Sequence, residues 1–170
     1  MEETIVNKVA SSGIITLNLE DHYHSGSRKV IDVKDVLFMG MILKEKEFRE
    51  WIKTQDWTQY QNSNVAIICS ADAIVPTWAY MLIASKLNGI ANHYVFGNLQ
   101  ELESSLYQKS LASMDLNEYA DKRVVIKGCG DKNVPESAYV EASRLLLPVV
   151  KSLMFGEPCS TVPVYKKQPV

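Results

Sequence analysis

Cys69, Cys129 and Cys159 are the residues of this chain best suited to chemistry, and each precedes a Val-Pro step by a few positions. Cys69 leads into Val75-Pro76-Thr77-Trp78-Ala79-Tyr80, and Cys129 into Val134-Pro135-Glu136-Ser137-Ala138-Tyr139, both of the form V-P-x-x-A-Y. Ala84-Ser85-Lys86-Leu87 is answered by Ala142-Ser143-Arg144-Leu145. Cys159 heads a shortened copy ending in Val162-Pro163-Val164-Tyr165. Thiolates are soft ligands that suit zinc and iron–sulfur clusters. The three cysteines are therefore expected to form a metal site, with Asp72, three residues after Cys69, as an oxygen donor that completes it. Asp72 has a competing structural role, capping the helix that starts at Pro76.

Other uses of the thiols stay open. One low-pKa cysteine can act as a nucleophile or redox relay, and free cysteine also packs as a small hydrophobe in a non-catalytic adaptor domain. The spacing is not the close C-x-x-C type that identifies zinc from sequence alone. His22, His24 and His93 read as structural or solvated, with no basis for a catalytic triad. Neither G-x-x-x-x-G-K-[ST] nor G-x-G-x-x-G occurs, so nucleotide binding lacks its usual glycine loop. Glu45 to Glu50, with alternating charges, reads as a solvated helix face.

The elements that must position the cysteines follow from local pattern. Asn64–Cys69, His93–Phe96 and Arg123–Ile126 read as strands. Pro76–Leu87, a segment from Leu99 with Asn98 as N-cap, and Pro135–Leu147 read as helices. Pro148 is expected to kink or restart the last helix, which then ends near Gly156. Gly13–Leu19 and Lys29–Val33 read as strands and Glu45–Lys53 as a helix, in a less regular first third. This order predicts an α/β fold, a mostly parallel sheet flanked by helices, in a single domain over residues 1–170. Cys69 and Cys129 then fall at the carboxyl ends of their strands, where open parallel sheets bind ligands. The route by which Cys159 would join them is open, since the preceding helix carries the chain back to the opposite side.

Composition bounds the rest. The chain has 170 residues, of which 46% are hydrophobic and 22% charged, with a net charge of -2. That is ordinary globular usage, and it offers no general attraction to nucleic acid or anionic membrane. A local basic patch is compatible with it. Met1-Glu2-Glu3 lacks the basic start and apolar run of a secretory signal. Three cysteines, an odd number, argue against a full disulfide framework, and a reducing cytoplasm is expected. The apolar run from Val65 to Ala84 is broken by Asp72 and Pro76, so it reads as strand then helix and not as a membrane span.

Cys69 to Met81, Val125-Ile126-Lys127-Gly128-Cys129 and Met154-Phe155-Gly156-Glu157-Pro158-Cys159-Ser160-Thr161-Val162-Pro163 resemble an uncharacterised bacterial family, domain of unknown function family 2480, found chiefly in Bacteroidetes. The resemblance extends over the whole chain, including Ile42 to Arg49. Genes of that family often lie near those of the SUF iron–sulfur assembly system, and the three cysteine motifs are characteristic of it. The resemblance therefore implies a role beside iron–sulfur assembly proteins, or in metal handling, without an established activity. A homo-oligomer is also compatible with the apolar Met81-Leu82-Ile83 run.

Overall fold

Asn64–Ile68 is a short apolar run bounded by polar turns, and it forms a strand buried along most of its length. The computed structural model describes residues 13–128 and 130–168. Its strands are β1 (Ile14–Asn18), β2 (Arg28–Asp32), β3 (Asn64–Ile68), β4 (His93–Phe96), β5 (Arg123–Lys127), β6 (Ser152–Glu157) and β7 (Ser160–Lys166). Its helices are α1 (Glu45–Thr54), α2 (Thr77–Leu87), α3 (Leu99–Ala112) and α4 (Glu136–Leu146). The fold is α/β, as expected. Among the described strands every pairing is parallel except that of β6 with β7.

These residues gather into two compact units. His24–Leu106 forms a contiguous unit, and the chain up to Tyr23 together with the chain from Tyr107 onward forms a split unit. The contiguous unit has the sheet order β2-β3-β4, and the split unit β1-β5-β6-β7. In the first, Ile31, Phe48, Val65, Ile67, Ile83 and Leu87 share a core, while Leu102 and Leu106 cover Ala66 separately. In the second, Leu17, Tyr107, Leu111, Val124, Ile126 and Leu146 share one.

The two units repeat one design at a constant offset. Phe48 answers Tyr107, Ile52 answers Leu111, Val65 answers Val124, Leu87 answers Leu146, and all are buried. Asp56 accepts the Thr58 N–H at the start of one 3-10 turn, and Asp115 accepts the Asn117 N–H at the start of the other. Asn62 and Asp121 both take positive φ, 57° and 54°. Their N–H groups donate to the carbonyls of Ile90 and Val149 at 2.9 and 2.8 Å. Tyr80 meets Phe96 edge-on at 5.0 Å, and Tyr139 meets Phe155 edge-on at 5.8 Å. The leading strands match too. Asn18 at the end of β1 and Asp32 at the end of β2 each cap a 3-10 turn, and Leu19 and Val33 behind them are fully buried.

One expected helix is absent from its place. The chain does not continue helically from Pro148 towards Gly156. Residues 147–149 turn, Val150 is buried, and the chain enters β6 at Ser152. Leu153 then buries beside Val124 in parallel register. Gly156 adopts φ 119°, outside any helix, and a Cβ there would stand 2.7 Å from the Ser160 carbonyl of β7. Only glycine fits that hairpin.

Candidate functional site

The strand that replaces the expected helix settles how Cys159 travels. Because β6 lies parallel beside β5, both end at the same edge of the split unit's sheet. Lys127 ends β5 and Glu157 ends β6, and their side chains form an ion pair at 3.1 Å. Cys129 and Cys159 each follow two residues beyond a member of that pair. Cys159 sits exposed in the Pro158-Cys159 turn between β6 and β7. Cys129 lies outside the described residues.

The glycines on either side of Cys129 show how crowded this edge is. A Cβ on Gly128 would stand 2.5 Å from the Tyr139 hydroxyl, and one on Gly130 would collide with the Glu20 carboxylate. Glu20 also accepts a long hydrogen bond, 3.4 Å, from the Lys132 N–H. The Tyr139 hydroxyl of α4 thus lies close against Gly128, and the Glu20 carboxylate of the turn after β1 lies close against Gly130 and accepts from the Lys132 N–H.

Cys69 and Asp72 belong to the contiguous unit, whereas Cys129 and Cys159 belong to the split unit. Cys69 is half-buried against the core that contains Val65 and Ile83, and its thiol points to the Ala71 carbonyl at 3.6 Å. Asp72 is exposed. It does not cap the following helix, whose N-cap is Pro76 without a side-chain hydrogen bond. Among the described residues, no group of three or more His, Cys, Asp and Glu side chains stands close enough to hold a metal ion.

The constant offset also corrects the echo between the cysteines. Val75-Pro76 and Val134-Pro135 are in register, and on that register Cys69 corresponds to Gly128 while Ser70 corresponds to Cys129. In the contiguous unit Asp32 accepts from the Ser70 N–H at 3.0 Å and from the Ser70 hydroxyl at 2.5 Å. Burial raises the Asp32 pKa, but these bonds and that from the Lys34 N–H outweigh it and hold the carboxyl below its usual range. Tyr80 beside it is raised by burial, then by Cys69 and Asp32. That edge is a closed latch.

The histidines are all engaged. His22 Nδ1 meets the Ser110 hydroxyl at 3.0 Å, and His93 Nε2 meets that of Ser105 at 2.7 Å. Burial lowers the His22 pKa against the opposing pull of Asp21. His24 Nδ1 receives the Gly26 N–H and the Asn64 amide, both at 3.0 Å. Charges on α1 pair within the helix at its exposed face, as Arg49 does with Glu45.

The fold and this edge define a two-unit α/β protein with an exposed thiol, Cys159, in the hairpin at the end of a mostly parallel sheet. The chain belongs to the family described as Protein of unknown function (DUF2480), whose model matches residues 3–167. No curated protein matches it, and no solved structure does. Among the described residues, no helix is long and apolar enough to cross a membrane.

Proposed function

We propose that this protein handles a soft metal centre through Cys129 and Cys159, as an accessory to iron–sulfur cluster assembly in a reducing cytoplasm. The observation that carries the reading is the Lys127–Glu157 ion pair, with a cysteine two residues beyond each partner. Two residues of chain reach at most about 7 Å, so the sulfurs start from anchored points on neighbouring strands. Two thiolates fit zinc or iron in kind but not in number, since closed sites take four ligands. The remaining donors then come from a partner, which suits transfer better than permanent storage. Cys69, half-buried in a different unit, takes the packing role.

The test is zinc or ferrous-iron titration of anaerobically purified protein, with Cys69→Ser, Cys129→Ser and Cys159→Ser in parallel. Binding is expected to weaken about tenfold or more on losing either Cys129 or Cys159, and to survive loss of Cys69. Equal binding in all variants, or loss only with Cys69→Ser, overturns the reading. A metal-free protein with one rapidly alkylated cysteine would point instead to thiol redox chemistry.

A second reading, an interaction domain, is favoured by one surface. Met39 takes φ 52° at the tip of a tight turn and is 75% exposed. Met41 and Ile42 beside it are also exposed, and Ile42 bridges to Ile74, which is 91% exposed. Binding proteins use flexible methionines in this way. If all three cysteines resist alkylation without denaturant and no metal binds, this reading replaces the first.

A further inference from the structure

The opposite edge of the split unit's sheet gathers positive charge. Arg123 opens β5 in register with Ser152 of β6, and Ser152 is in register with Lys166 of β7. The Lys151 N–H donates to the Lys122 carbonyl at 2.8 Å, and the Lys167 N–H to the Lys151 carbonyl at 2.9 Å. Backbone pairing therefore fixes Lys122, Arg123, Lys151, Lys166 and Lys167 at the ends of three adjacent strands. All are exposed. Asp121 lies among them and pairs with Lys167 at 3.2 Å. Among the described residues, Lys122, Lys151 and Lys166 form none of the ion pairs seen in this unit.

The corresponding positions of the contiguous unit carry no such charge. Ser63, Asn64 and Asn92 stand where the split unit has Lys122, Arg123 and Lys151. Ser63 and Asn64 are buried, and Asn64 accepts from the Asn92 amide at 2.6 Å. The repeated backbone thus does not require cations at these three positions, and the cation at the start of β2, Arg28, is neutralised by Glu103.

We infer that this basic edge is a docking surface for an acidic segment of a partner protein. Neighbouring strands lie about 4.8 Å apart, so the cations span roughly 10 Å, the width of one short extended segment. A long polyanion would run past the patch onto a chain whose net charge is -2. An acidic segment needs only the patch. The thiol edge lies at the other ends of the same strands, about 17 Å away for five residues, so the inference stands independently of the metal reading.

Fluorescence anisotropy with a short fluorescein-labelled polyglutamate peptide tests it. The triple variant Lys122→Glu, Lys151→Glu, Lys166→Glu is compared with the control triple Lys34→Glu, Lys46→Glu, Lys53→Glu. The first is expected to bind about tenfold more weakly and with a flatter salt dependence, while the control stays within about twofold of the wild type. Circular dichroism reports whether each variant folds. If the first triple does not fold, the same three lysines changed to Gln should show a smaller loss in the same direction. The inference is overturned if wild-type protein does not bind, or if both triples lose equally. It also fails if a labelled single-stranded oligonucleotide or phosphatidylserine vesicles bind more tightly than polyglutamate. Binding that emerges only when residues 1–12 are removed would make the chain's own Glu2-Glu3 the occupant, and would overturn it as well.

Discussion

The amino edges of the two units share a backbone and differ in almost everything else. In the contiguous unit, Asn64 is buried and held by His24, Gly26 and Asn92, and Arg28 grips Glu103 with two hydrogen bonds. In the split unit the positions of Asn64 and Asn92 are taken by the exposed cations Arg123 and Lys151. A repeated scaffold needs its core periodicity and its turn residues kept. The chemistry at the strand ends is not fixed by it. The carboxyl edges diverge in the same manner, with Asp32 latching Ser70 in one unit and the Lys127–Glu157 ion pair in the other.

The comparison breaks most readily in the core. Ile83 and Ala142 occupy the same register, fully buried, with different volumes. Ile83→Ala should cost about 2–5 kcal/mol in urea unfolding, and Ala142→Ile about 1–3 kcal/mol from overpacking. If both substitutions are nearly neutral, the two cores are interchangeable and the units differ only at their surfaces. Next in size is the buried clasp. Asn64→Ala leaves its partners without a bond and should cost about 1–3 kcal/mol, against a change within about 0.5 kcal/mol for Lys122→Ala. Comparable losses would mean that the basic edge also has a structural role.

The latch gives a smaller effect that depends on pH. The Asp32 carboxyl is held below its unfolded value, so its contribution is fully present above about pH 4 and disappears as pH falls through the lower folded value. Asp32→Asn gives the residue that the split unit carries as Asn18. It should keep the turn cap and flatten the acid limb of the stability curve below about pH 4. An unchanged acid limb would show that other carboxylates dominate it. Least of all, Cys159→Ser should alter stability by no more than about 0.5 kcal/mol, less than Cys69→Ser, because Cys69 packs against a core and Cys159 is exposed.

Much of this architecture is visible in the residues themselves. β-branched runs mark β3 and β5, and Pro at the cap followed by apolar spacing marks α2 and α4. Asn98 caps α3 as expected, accepting from the N–H groups of Gln100 and Glu101. β6 is hidden because Ser152-Leu153-Met154-Phe155 carries no β-branched residue and follows a helix without a strong stop. A signal was nonetheless present. Phe96-Gly97 and Phe155-Gly156 recur at the same separation as the two Val-Pro steps, and both glycines take positive φ. The site was legible only in part. Cysteine is conspicuous, so aligning Cys69 with Cys129 is tempting, but a slip of one position in an extended chain exchanges the two sides. The lysines of the basic edge come from three separate segments, and only strand pairing brings them together.

The interleaved order of the units has a consequence for how the protein is made. β1 leaves the ribosome first, yet its partner β5 lies far downstream, with Ile14 opposite Arg123. Every residue of the contiguous unit emerges between them. That unit can fold while translation continues, whereas β1 must wait with an unpaired edge until Arg123–Lys127 appears. A nascent chain stalled once Leu106 has cleared the ribosomal exit tunnel should therefore already protect Val65 and Ile67 from hydrogen exchange, while Ile15 and Leu17 remain unprotected. Closing the split unit is then the late, long-range step of synthesis.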